Sequence, residues 1–125
     1  MVKTLVTMLG ALLILIGGAI YEETFVFRQF NELHEVIEVV YDKVNDKTAT
    51  EDDIYSLQSN WLDKKKYLHV FIPHNEIKEI DLWTAEAVKL VRDKKWEDAI
   101  SKIEVLKELA EQIPKTFRIS IENIL

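Results

Sequence analysis

The side chains best suited to chemistry in this 125-residue chain gather in one stretch, "HVFIPHNE", where His69, His74 and Glu76 surround Pro73. Imidazole and carboxylate are zinc-ligand types, and an imidazole beside an acid can also carry a proton near neutral pH. A zinc site needs three or four such groups converging at about 2 Å. The stretch has no HExxH spacing, and the remaining histidine, His34, belongs to a different part of the chain. Pro73 breaks the helical pattern between His69 and His74, so helical periodicity does not set their separation. The plainer role for His74 is structural. It would cap the corner or hydrogen-bond across it, with Asn75 or Glu76 completing the first turn of the next helix.

Trp61 and Trp83 are the other candidates. Both fall on or near an apolar stripe, which reads first as core, and Trp83 is placed to meet Trp61. A ligand or ion-sensing pocket between helices would draw on His69, His74, Glu76, Trp61 and Trp83. No metal, cofactor or catalytic residue is expected. The chain has no Cys and no Gly-bracketed Ser, and its carboxylates follow the solvent faces of helices. An enzyme is therefore not expected.

Glycine placement bears on both chemistry and fold. Gly10, Gly17 and Gly18 are the three glycines, and all lie near the N-terminus. Phosphate-cradling loops, nucleophile elbows and tight hairpins usually need glycine for close approach or positive φ. The long glycine-free remainder points to an all-α fold.

The elements that position these residues begin with Thr4 to Tyr21, a run without charge that Lys3 precedes and Glu22-Glu23 follow. As a helix it rises about 27 Å, close to the ~30 Å hydrocarbon core of a bilayer. Lys3 and the terminal amine place the N-terminus in the cytoplasm and the rest outside. The alternative is a secreted protein, cut near Ala19 where Gly17-Gly18-Ala19 offers small residues. An uncleaved anchor is the preferred reading, because an amphipathic pattern resumes directly after Glu23. Thr7, Ala11 and Gly18 line a small-residue face of the kind that supports helix pairing in membranes. Tyr21, Phe25 and Phe27 suit an interfacial aromatic belt.

Beyond the anchor, Val26, Phe30, Leu33, Ile37, Val40 and Val44 repeat at alternating spacings of four and three, the seam of a bundle helix. "NDKTAT" ends it, and Thr50 with Asp53 reads as the N-cap of a second helix. That helix turns Ile54, Leu57, Trp61, Leu68 and Phe71 or Ile72 inward, with Lys64-Lys65-Lys66 interrupting the stripe and Pro73 stopping it. A third helix carries Ile77, Ile80, Trp83 or Thr84, Ala87 and Val91. After "RDKK", a fourth carries Trp96, Ala99, Ile103, Leu106, Ala110 and Ile113 until Pro114 closes it. Short connections favour antiparallel neighbours, so the expected fold is an up-down-up-down four-helix bundle continuing from the transmembrane helix. Residues 1–21 form the anchor and 22–114 the bundle. Residues 115–125, "KTFRISIENIL", form a tail, extended in form, that either packs on the bundle base beside the Pro73 corner or touches the headgroup region. Packing is the preferred reading, because its apolar residues have no other cover. "KKWEDAISKIEVL" also fits the second helix of a tetratricopeptide hairpin, but no second copy occurs.

The chain carries a net charge of −6, and residues 22–125 hold all 22 acids and all but one of the 16 basic residues. Nucleic acid needs a basic surface and is not an expected partner. The anchor, Trp61, "IPHNEI" at Ile72–Ile77, "EQIP" at Glu111–Pro114 and "SIENIL" at Ser120–Leu125 together resemble an uncharacterised family. Its members are small membrane-anchored helical proteins of Gram-positive, largely spore-forming bacteria, known only as a domain of unknown function. The corner residue before the histidine is more often polar in that family, and here it is Pro73. The resemblance implies membrane anchoring and an all-helical outer domain, and it implies no activity. The resulting expectation is a non-enzymatic scaffold outside the cell membrane. It would bind the membrane through residues 4–21, and an envelope or membrane protein or its own copy through the bundle.

Overall fold

A computed structural model describes residues 1–124; Leu125, read above as the end of the tail, lies outside the described residues. Among the described residues the chain forms four α-helices and no strand: α1 (Val2–Asn45), α2 (Glu51–Leu68), α3 (His74–Arg92) and α4 (Trp96–Ile124).

The first helix holds 44 residues and is about 66 Å long. Its C-terminal half carries the seam Val26, Phe30, Leu33, Ile37, Val40 and Val44, all buried. Its N-terminal half is long and apolar enough to cross a membrane or to serve as a signal sequence, and none of that span is covered. The helix is unbroken between the two halves.

Two turns replace glycine with lysine. After α1, Lys47 takes φ 60° and its N–H donates to the Val44 carbonyl, while Thr48 donates to Lys43. After α3, Lys94 takes φ 57°, donating to Val91, while Lys95 donates to Leu90. These are two Schellman motifs of the same form, and they satisfy carbonyls that a helix end would otherwise leave open. Left-handed backbone is unfavourable for lysine by about 1 kcal/mol, and its charge near a helix C-terminus offsets part of that.

At the start of α2, Thr50 Oγ1 accepts from the Asp53 N–H at 3.2 Å and Asp53 Oδ2 accepts from the Thr50 N–H at 2.8 Å. This is a full capping box. The lysine run does not interrupt the inward stripe. Lys64 occupies a stripe position, only 7 % exposed, between Trp61 and Leu68. Its stem lies among apolar side chains while its ammonium reaches back to α1. At the corner, Ile72 is buried and Phe71 lies partly covered against the core. In α3 the core position is Thr84, with Trp83 on the flank.

Pro114 does not close α4, and the following residues are not extended. The helix passes through Pro114 to Ile124. An interior proline removes one backbone hydrogen bond and destabilises a helix by about 3 kcal/mol. Packing opposes this: Ile113 and Pro114 are both buried, and Phe117 packs on the core one turn later. Thr116 adds a hydrogen bond to the Gln112 carbonyl at 3.2 Å. Each of α1 and α3 packs against both α2 and α4. The α3–α4 hairpin thus closes a bundle on α1, where a repeat would leave it open for stacking.

Candidate functional site

Both corner histidines are exposed. His69 ends α2, exposed, with Nδ1 3.1 Å from the Lys65 carbonyl. His74 opens α3, also exposed. Pro73, not a polar side chain, is the N-cap residue of α3, and no side chain caps that end. The cap expected of His74 is therefore not made, while Asn75 and Glu76 lie in the first turn of α3. The Pro73 carbonyl instead starts the helix, accepting from Glu76 and Ile77 at 3.1 and 3.2 Å. Burial raises the Glu76 carboxyl above the ordinary glutamate range. Among the described residues, no three His, Cys, Asp or Glu groups come together as a metal site.

The tryptophans partner different helices. Trp61 is buried, and its indole N–H donates to Asp81 Oδ1 at 2.7 Å. Lys65 holds the other oxygen of Asp81, also at 2.7 Å. This three-residue knot ties α2 to α3. Trp83 turns toward α4: its N–H donates to Glu79 at 2.9 Å, and Lys102 lies over its ring at 4.8 Å. Asp81 and Trp83, two residues apart on α3, point to nearly opposite sides of the helix. Trp61 and Trp83 thus make their polar contacts on different sides of α3.

Further polar groups assemble between α1 and its neighbours. His34 Nε2 is 2.9 Å from Glu111 Oε1 and 3.8 Å from Glu38 Oε1. Lys107 bonds the same Glu38 oxygen at 2.8 Å and stands over the Tyr41 ring at 5.5 Å. Tyr41 donates to Glu104 at 3.3 Å, and Arg118 pairs with Glu23. On the other flank, Lys64 bonds Glu32 at 2.7 Å and Gln29 at 3.2 Å, and Lys43 bonds Asp53 at 2.8 Å.

These hydrogen bonds hold the Glu32, Glu38 and Asp53 carboxyls below their ordinary values, and Glu38 raises Lys107 in turn. Sequence reading missed the His34 cluster. Its one signal was spacing: His34 with Glu38, and Lys107 with Glu111, are each four apart on one helix face. The register that brings the two faces together is not visible within either helix.

The far end of this seam is aromatic. Ring centroids link Tyr21 to Phe25 at 6.4 Å, Phe25 to Phe71 at 5.9 Å, and Phe71 to Phe117 at 6.3 Å. The chain of rings joins α1, the α2–α3 corner and the last turns of α4. Arg118 lies over Phe27 at 4.0 Å beside it.

The sequence model of one family, a domain of unknown function (DUF4363), matches residues 25–124. The chain belongs to that family. No curated protein and no solved structure gives a significant match.

Proposed function

We propose that this DUF4363 chain is a non-enzymatic, membrane-anchored scaffold whose bundle docks a partner outside the cytoplasmic membrane. The observation that carries it is α1 itself. One unbroken helix has an uncharged run from Thr4 to Tyr21, none of it buried, and a second half built into the bundle. Such a helix suits a bilayer at one end and transmits position rigidly to the domain at the other. Lys3 ahead of the span and Glu22-Glu23 after it favour a cytoplasmic N-terminus.

The bundle is antiparallel, up-down-up-down. Pairs between α1 and α4 support this, since Glu23–Arg118, His34–Glu111, Glu38–Lys107 and Tyr41–Glu104 climb one helix while descending the other. Lys43–Asp53 and Glu32–Lys64 do the same for α1 and α2. The partner is an envelope or membrane protein, or a second copy, engaged by helix faces and without chemistry.

In-cell crosslinking with mass spectrometry tests this reading. A reproducible membrane or envelope partner, or a self-crosslink, is expected. Monomeric, partner-free chain across replicates overturns the scaffold. Peptides from the same sample read the N-terminus, and a mature start near Ala19 would favour the secreted alternative. The sensor alternative, a small ligand or ion held at the His74 corner, has less geometric support because Trp61 is buried against Asp81 and, among the described residues, no three His, Cys, Asp or Glu groups come together as a metal site. A thermal shift with a metal that disappears in His74→Ala would revive it.

A further inference from the structure

Two features of the bundle's base remain outside the scaffold reading. The first is an exposed apolar collar. Val70 at the α2–α3 corner is 72 % exposed, as are Ile119 (58 %) and Ile124 (82 %) on the last turns of α4. Tyr67 and, on α1, Ile20 and Tyr21 are also exposed. The second is where the pairing of α4 with α1 places these residues. Arg118 meets Glu23, and α4 continues to Ile124, about 9 Å further. In the order of the α1–α4 pairs, that rise brings Ile121 and Ile124 level with the last turns of the uncharged segment. The corner reaches the same level, because Phe71, Ile72, Phe117, Ile121 and Ile124 line one groove there.

We infer that this collar is a second membrane-contacting surface, seated in the headgroup layer of the bilayer that α1 enters. The inference rests on the membrane reading of α1. The occupant is lipid because the patch is continuous with the apolar face of that helix. Aromatic rings and mixed polar groups are what an interface takes up, and the Tyr21–Phe25–Phe71–Phe117 chain of rings supplies them. Glu122, exposed on the final turn, sets the depth: a carboxylate is accommodated among headgroups but not in hydrocarbon. Acidic and basic groups both surround the collar, so the contact needs no anionic lipid. The bundle is thereby held against the bilayer at three points, α1, the corner and the end of α4, and does not swing on a single stalk.

The full chain in phosphatidylcholine vesicles tests it. With no native Cys, single substitutions V70C, I119C, Y55C and L12C each carry one environment-sensitive fluorophore. Nitroxide lipids then report depth. Labels at 70 and 119 are expected to be blue-shifted and quenched by headgroup nitroxide, with the label at 55 unquenched and the label at 12 quenched by mid-chain nitroxide. If position 12 is quenched while 70 and 119 match position 55, the domain stands off the bilayer and the collar proposal is overturned alone. If position 12 is not quenched either, the membrane reading of α1 falls, and this proposal with it.

Discussion

The two halves of α1 are both rich in apolar residues and share one continuous backbone, yet they meet opposite surroundings. Before Tyr21 the apolar side chains point all round the helix and stand uncovered. From Val26 onward most occupy one stripe, Val26, Phe30, Leu33, Ile37, Val40 and Val44, buried to within a few per cent, while Val39 stands exposed off it. The difference lies in pattern, not in content. A stripe on one face can be satisfied by neighbouring helices, whereas a helix apolar on all sides needs an apolar medium. Among the described residues no partner covers the first half, which is long and apolar enough to cross a membrane or to be a signal sequence, whereas the bundle covers the second half.

That contrast is sharpest under truncation. Phe30→Ala or Trp61→Ala should destabilise the bundle by about 3–5 kcal/mol, since each empties a fully buried site. Leu12→Ala should leave the denaturation midpoint of the bundle unchanged. A comparable loss from Leu12→Ala would show that the two halves are not energetically separate. Chemical denaturation of the three variants in detergent makes the comparison.

A smaller effect probes how α1 holds its neighbour. Glu32→Gln removes the partner of the stripe lysine Lys64 and should lower stability by about 1 kcal/mol or less, because Glu32 itself is half exposed. Its carboxyl is held below the ordinary value by Lys64. Its contribution is therefore complete above the unfolded glutamate pKa and is lost as pH falls through the lower folded value. The gap between wild type and Glu32→Gln should close on acidification. Glu76 runs the other way. Burial raises its pKa, so the ionised form weakens the fold above the unfolded value and protonation relieves it. Glu76→Gln should raise the neutral-pH melting temperature slightly and have no effect in acid. A gain that persisted in acid would remove titration as its cause.

Much of this fold was legible in the sequence, and the misses have physical reasons. The α1 seam, the Thr50–Asp53 box and the inward faces of α3 and α4 follow from spacing and side-chain chemistry alone. Pro114 was read as a stop because local propensity forbids it, but burial of Ile113, Pro114 and Phe117 carries the helix on. Lys64 looked like a break because charge implies solvent, whereas a long aliphatic stem can lie inward with its head on α1. The candidate site was the least legible part. His69, His74 and Glu76 are close in sequence but form no metal-ligand group among the described residues, and one polar cluster joins His34 to residues of α4 far along the chain. Such pairing depends on the register between helices.

An effect of similar size concerns the turns that keep α1 and α3 apart from their successors. Lys47→Gly and Lys94→Gly should each stabilise the bundle, by up to about 1 kcal/mol, as glycine relieves the left-handed backbone. Loss of stability in either would mean that the lysine charge at the helix end outweighs the strain.

The central claim is that the first half of α1 crosses a membrane and leaves the bundle outside. Single-cysteine variants V2C and Y55C, expressed in intact cells and treated with a membrane-impermeant maleimide, test it most directly. The account predicts that position 55 labels in intact cells and that position 2 labels only after permeabilisation, both on full-length chain. Labelling of position 2 with protection of position 55, or a mature chain lacking residue 2, would contradict it.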